Sequence, residues 1–177
     1  TSHKHTDRIL VGLNNRDQRW HDVHSLDLKT GKLTLVQQND GYTGFVADED
    51  LVLRVAQRPN AAGGQDYFRI KDGKVADQPF LTFGLEDSQT TEVFGFTADG
   101  KTLYWTDSRG RDTAAAFAMD FETGKMTKLA EDGRADVGVA LFHPTTGALQ
   151  AVSVNYLTPE WKVLDQSVAG DIAFLDK

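Results

Sequence analysis

A chain of 177 residues can bury one sizeable core, so one domain-sized unit is expected, and 40% hydrophobic with 10% aromatic content excludes general disorder. A net charge of −7 argues against nucleic acid or an anionic membrane surface as the main partner, and no apolar run approaches the ~20 residues needed to cross a bilayer. The absence of cysteine removes disulfides, thiolate metal sites and a cysteine nucleophile; it does not fix the compartment, for which the cytoplasm is the expectation and the periplasm is left open.

The opening, TSHKHTDRILVG, has no apolar signal-peptide core and reads as a cut boundary rather than a natural beginning. Apolar alternation then predicts strands at 8–13, 22–28 and 33–37, followed by 43–47, 51–56, 66–70 and 78–83. A third group falls at 92–97, 102–106, 114–120 and 126–130, and a fourth at 137–142 and 149–155, with a short WKVLD stretch after it. Behind Asp165 as N-cap, Val168, Ile172 and Leu175 fall at helical spacing, which predicts an amphipathic helix over 166–176.

Two phrases recur through these groups. DLKTGKLTLV (27–36) returns as DFETGKMTKL (120–129), and the glycines of Thr30-Gly31-Lys32, Asp72-Gly73-Lys74 and Thr123-Gly124-Lys125 are 42 and 51 residues apart. The second phrase runs GFVADEDLVLRV, GFTADGKTLYWT and LFHPTTGALQAV, placing Phe45, Phe96 and Phe142 at spacings of 51 and 46. Repeats of that length made only of short strands and tight turns mark β-propeller blades. The expected fold is therefore all-β: about four four-stranded antiparallel meanders in an incomplete propeller, with a short C-terminal helix. As domain organisation, 1–177 is one propeller fragment with blades near 8–37, 43–83, 92–130 and 137–177, the first lacking its innermost strand.

Catalytic patterns are missing. There is no G-x-S-x-G elbow, Ser108 in DSRGR is expected in a loop rather than a catalytic site, and Gly63-Gly64 lacks the helix and lysine of a phosphate loop. His21 and His24, three apart on a strand, face opposite ways, and His143 before Pro144 suits a turn. His3 and His5 could serve a square-planar Cu(II) or Ni(II) site only at a true amino terminus, and the acidic runs 47–50 and 131–136 lack calcium-loop spacing. No catalytic, cofactor-binding or metal residue is assigned, and this chain alone is expected to be inactive.

In a four-stranded meander, the loop after the second strand lies on the rim opposite the turns after strands one and three. That loop is the long one in every group: 14–21, 57–65, 107–113 and 155–161. These 31 residues hold Arg16, Arg19, Arg58, Arg109 and Arg111, five of the nine arginines, and no lysine, whereas Lys32, Lys74, Lys101 and Lys125 occupy the tight-turn rim. Since a guanidinium fork suits carboxylates, Arg16, Arg19, Trp20, Arg58, Arg109, Arg111, Tyr156 and Trp161 form the candidate binding or docking rim. The alternative is that Asp17, Asp107 and Asp112 neutralise the arginines in structural pairs between neighbouring loops. The aromatics on strands, among them Phe94, Phe96, Tyr104, Trp105 and Phe117, are read as packing.

ILVGLNNRDQRWHDVHSLDLKTGKLTLV, ADEDLVLRV, LYWTDSRGRDTAAAFAMDFETGKMTKLAEDGRADVG and HPTTGALQAVSVNYLTPEWKVLD together resemble the amino-terminal propeller of bacterial serine peptidases of the prolyl oligopeptidase family, acylaminoacyl-peptidase or dipeptidyl-aminopeptidase-like. DSRGRDTAA and NYLTPEW are the sharper parts. The resemblance implies a parent protein in which an α/β-hydrolase domain carries the Ser, Asp and His, and in which the propeller restricts entry to small peptides. The implied partners are that C-terminal hydrolase domain and the parent's peptide substrates. The exposed end blades add possible self-association. A stand-alone binding module presenting the same rim is the alternative.

Overall fold

The repeated phrase DLKTGKLTLV has a local physical cause, visible in the structure, a computed structural model describing residues 2–175. The Asp27 carboxylate accepts the amides of Lys29 (2.9 Å) and Thr30 (2.7 Å), while Gly31, at φ +71°, donates its amide back to the Asp27 carbonyl (2.9 Å). Asp120 does the same for Thr123 (2.8 Å), with Gly124 at φ +75° closing the turn. An aspartate that ties down the turn and a glycine that takes the left-handed conformation are what a hairpin of this length requires. The third copy uses a different device. Asp72 (φ +50°) and Gly73 (φ +72°) form a two-residue turn with both centres left-handed.

The chain forms two compact units, Thr1–Glu86 and Asp87–Lys177, each carrying two antiparallel sheets. In the first, β1 (Arg8–Asp17), β2 (Trp20–Asp27) and β3 (Leu33–Gln37) make a three-stranded sheet in chain order. The second sheet contains β4 (Gly44–Ala47), β5 (Leu53–Pro59) and β6 (Gln65–Lys71), and β6 then pairs with both β7 (Lys74–Val75) and β8 (Leu81–Phe83). A single fourth strand over 78–83 was the expectation. It is shortened to Leu81–Phe83, and a separate two-residue strand, Lys74–Val75, precedes it on the same partner; Pro79, which has no N–H to give the ladder, lies in the gap between them. Val23, Leu53, Ala56, Phe68 and Ile70 form the buried core of this unit, with Leu10, Tyr42 and Phe45 packed against it.

The second unit holds β9 (Val93–Phe96), β10 (Thr102–Asp107), β11 (Ala115–Asp120) and β12 (Met126–Ala130) as a four-stranded meander, then β13 (Val137–Phe142), β14 (Leu149–Asn155) and β15 (Pro159–Val163) as a three-stranded one. Every residue of β14 from Leu149 to Val154 is buried, the polar Gln150 and Ser153 included, so this strand is covered on both faces. The expected helix begins as a 3₁₀ turn, Gln166–Val168, capped by the Asp165 carboxylate on the Ser167 amide (2.9 Å), and becomes α-helical only over α1 (Ala169–Leu175). Asp176, the end of the expected helix, lies outside the described residues. The fold class is as expected: four antiparallel sheets, one short C-terminal helix and no closed barrel. Among the described residues, no helix is long and apolar enough to cross a membrane.

Candidate functional site

The long-loop rim is shorter than its sequence suggests. Residues 14–17 continue β1 and β2 starts at Trp20, so Gln18 and Arg19 alone connect two extended strands. Likewise β5 reaches Pro59, β14 reaches Asn155 and β15 starts at Pro159. The polar composition that reads as loop is a hairpin extended past the core, with a register shift between Leu13 and Asp17.

Four of the rim arginines are held by carboxylates. Arg16 grips Asp22 with Nε (2.7 Å) and Nη2 (2.8 Å) and also donates to the Asn39 carbonyl (2.8 Å). Asp22, itself buried, accepts the Asn39 amide (2.8 Å), so the pair clasps the connection between the two sheets of its unit. Arg19 is bidentate on Asp17 (3.1 and 2.9 Å) and Arg109 on Asp107 (2.9 and 2.7 Å). Arg111 pairs with Glu131 on the β12–β13 connection rather than with Asp112, and donates to the Thr113 carbonyl (3.3 Å).

A local unit that the sequence reading did not separate out explains two of these. In Asp17-Gln18-Arg19, Asp107-Ser108-Arg109 and Asp132-Gly133-Arg134, the arginine donates both its own backbone amide and its guanidinium to the aspartate two residues earlier. The backbone bond is an Asx-type turn, and its curvature brings the long side chain back over the carboxylate. The signal was present as D-x-R three times. The pairs at Arg19 and Arg109 therefore form within a tripeptide, not between neighbouring loops.

Arg58 is arranged differently. Its guanidinium carbon lies 4.8 Å from the Phe68 ring centre and 5.8 Å from that of Tyr42. Trp20 opens β2 opposite Asp17 and is half-buried, as is Trp161, which faces Ser153 from β15. Tyr156 is exposed, with Arg134 over its ring at 5.4 Å; Arg134 also reaches Glu160 (2.7 Å), and Lys162 reaches Asp132 (2.9 Å). That network joins the β12–β13 connection to the β14–β15 hairpin. Each candidate thus has a defined place within its own unit.

Ser108 is buried, with Oγ donating to Asp87 (2.6 Å) and lying 2.6 Å from Thr90 Oγ1. His143 Nδ1 accepts the amides of Thr145 and Thr146 (3.2 Å each), a turn-capping role. With its hydroxyl proton committed to a carboxylate that has no imidazole beside it, Ser108 is not an activated nucleophile. A serine-directed fluorophosphonate probe is expected to leave the chain unlabelled. Stoichiometric modification of any serine, read by mass spectrometry, would contradict this.

The ion pairs set an acid limit. Hydrogen bonds from Arg19 pull Asp17 from 3.8 to about 2, and those from Arg16 and the Asn39 amide pull Asp22 equally to about 2. Asp132, held by Arg134 and Lys162, is lowered further. At Asp107 burial acts upward, but the bonds from Arg109 outweigh it and the net direction is down. A depressed carboxylate contributes stability that is present above its unfolded value and lost as pH falls through its folded one. Urea midpoints should therefore hold above pH 4 and drop between about pH 4 and 2. The gap between the wild-type chain and Asp22→Asn should close over the same interval; a gap constant with pH would show that the Arg16 pair does not carry the effect.

No family model matches the chain. It is 49% identical over 176 residues to dipeptidyl aminopeptidase BIII of Pseudoxanthomonas mexicana, an alignment covering 99% of this chain and 25% of that protein. The resemblance to the propeller region of prolyl oligopeptidase-family peptidases holds along nearly the whole chain. Dipeptidyl peptidase family member 6 of Caenorhabditis elegans is 26% identical over 178 residues, covering 96% of this chain and 24% of the relative. The chain thus spans about a quarter of the length of the curated relatives it matches. Two solved structures share the fold: a putative TolB from Agrobacterium tumefaciens (TM-score 0.56, 12% identity, 88% of this chain and 53% of that one) and dipeptidyl peptidase 4 of Porphyromonas gingivalis (TM-score 0.52, 16% identity, 95% and 26%).

Proposed function

We propose that this chain is the non-catalytic propeller portion of a serine peptidase, one continuous fragment of blades that docks on an α/β-hydrolase domain elsewhere in a longer polypeptide and limits which peptides reach it. The observation that carries this is the alignment itself: 49% identity runs through 99% of the chain yet occupies only 25% of a dipeptidyl aminopeptidase. The sheets supply a scaffold, and the rim side chains supply contacts for the hydrolase domain or for peptide entering past it. The two units are consecutive stretches of the same propeller in this reading, and the apolar residues exposed on β3, Leu33, Leu35 and Val36, form a surface for self-association.

The test is turnover by the longer polypeptide against a graded series: dipeptidyl chromogenic substrates, peptides of increasing length, and a folded protein with an accessible amino terminus. Access control predicts rapid cleavage of the short members and at least about a 100-fold lower kcat/KM for the folded one, a difference of about 2.7 kcal/mol in transition-state access. Equal rates along the series would remove the gating role. Absence of any dipeptide release would remove the peptidase assignment.

A further inference from the structure

Arg58 stands apart from the arginines of the D-x-R units. Its side chain is exposed on β5, and among the described residues it holds no ion pair and donates no hydrogen bond; its contacts are the faces of Phe68 (4.8 Å) and Tyr42 (5.8 Å). A carboxylate was available. Asp66 is the residue directly across the ladder on β6, where a cross-strand pair would form, but its Oδ1 is taken by Thr82 Oγ1 (2.9 Å) and Asn60 Nδ2 (3.2 Å).

The platform under Arg58 is rigid. Phe68 is 2% exposed and belongs to the core of its unit, and Tyr42 meets it edge-on with ring centres 6.0 Å apart at 74°. Stacking over aromatic faces orients a guanidinium while leaving its in-plane N–H groups open. The outcome is a fork whose orientation is set by apolar contacts and whose donors are unspent. In a protein of net charge −7, a cation in that state is open to an anion from outside the chain.

We propose that Arg58, supported by Phe68 and Tyr42, binds a carboxylate of an incoming peptide. This deepens the peptide-access reading and rests on it for the choice of ligand. The probe is N-acetyl-Ala-Ala with a free carboxylate, titrated into the ¹⁵N-labelled chain while the Arg58 Nε–H resonance, assigned by its loss in Arg58→Lys, is followed. A saturable shift at Arg58 is expected, with an affinity, read in both proteins from the backbone amides of Gln57 and Phe68, at least about 10-fold weaker in Arg58→Lys, which keeps the charge and loses the bidentate geometry. An unchanged amide spectrum elsewhere in Arg58→Lys keeps the comparison free of unfolding.

No shift, or the same shift with the peptide amide, overturns the proposal. So does an equal response at the Nε–H of Arg19 and Arg134, which would report unspecific charge attraction. Inorganic phosphate binding Arg58 as strongly as the peptide would also overturn it, by making the site a general anion site. None of these results bears on turnover of the graded substrates, so failure here is separable from failure of the peptidase reading.

Discussion

Trp105→Ala should be the most damaging single substitution in the second unit, lowering its stability by about 3–5 kcal/mol. Trp105 is 1% exposed at the centre of β10, opposite Phe117 of β11 and Val93 of β9, and its indole is stacked on the Phe117 ring with centres 5.8 Å apart at 19°. Truncation removes the largest fully buried side chain of the described residues and leaves a void that β-sheet backbone cannot close. A domain of this size has only about 5–15 kcal/mol in total, so a large part of the unit's stability is at stake. Denaturation followed by circular dichroism should show the loss, with Trp105→Phe falling well short of it. A loss under about 1 kcal/mol for the alanine variant would mean that the site collapses around the vacancy.

Gly64→Ala should destabilise the first unit by about 3 kcal/mol, through overlap rather than a void. A Cβ at Gly64 would stand 1.9 Å from the Phe83 carbonyl oxygen and 2.6 Å from the Gly84 carbonyl carbon. Both are backbone atoms, so no side-chain rotation relieves the contact. The loop sits that close because Asn60 binds it at several points: Oδ1 accepts the amides of Ala62 and Gly64 (3.0 Å each), and Nδ2 donates to the Phe83 carbonyl (3.0 Å). Separating the loop from β8 therefore also strips hydrogen bonds from the end of the strand. Faster hydrogen exchange at Gln65 and Phe83, which pair across the ladder, should accompany the lower midpoint. Gly73→Ala is the control: φ is +72° but nothing lies within 4 Å, so only the left-handed backbone penalty of about 1 kcal/mol applies. Equal effects at the two glycines would refute the steric account.

The strand pattern was legible because turn chemistry is local. Asp27 and Asp120 tie down turns within three residues of themselves, Gly31 and Gly124 occupy the one conformation they are suited to, and each pair leaves the same written phrase. The separate β7 ahead of β8 was less visible: Pro79 lies in the gap between them, and a proline does not say that both sides pair with the same partner. The turn between 47 and 51 was expected, but Leu51, expected to open the next strand, completes the turn instead, and β5 begins at Leu53. Leu51 holds φ +60° and donates to the Asp48 carbonyl (3.0 Å), the position that Gly100 fills in the next copy by donating to Thr97 (2.8 Å). A left-handed leucine has no sequence signature.

In the connections that follow the second strands, the presence of arginine was readable and its electrostatics were not. Arg19 and Arg109 are neutralised by residues two positions away, a result of turn curvature that a linear charge count misses. Arg58 lacks the D-x-R aspartate, but the sequence does not show what holds it instead. What sets it apart is a ring 10 residues onward and another 16 residues back, brought together only by the pairing of β5 with β6 and the packing of Tyr42 on Phe68.

The D-x-R unit also bears on how such a chain is copied and rearranged. A loop whose arginine depends on a carboxylate in the adjacent repeat can only be duplicated together with that neighbour, since a lone copy strands a charge. Asp17-Gln18-Arg19 and Asp107-Ser108-Arg109 carry both members inside one tripeptide, so a duplicated or transplanted meander arrives already neutral at that corner. Residues around the unit are then free to diverge without a compensating change elsewhere. Internal charge closure of this kind would let a meander that carries the unit tolerate new neighbours and changes in repeat number.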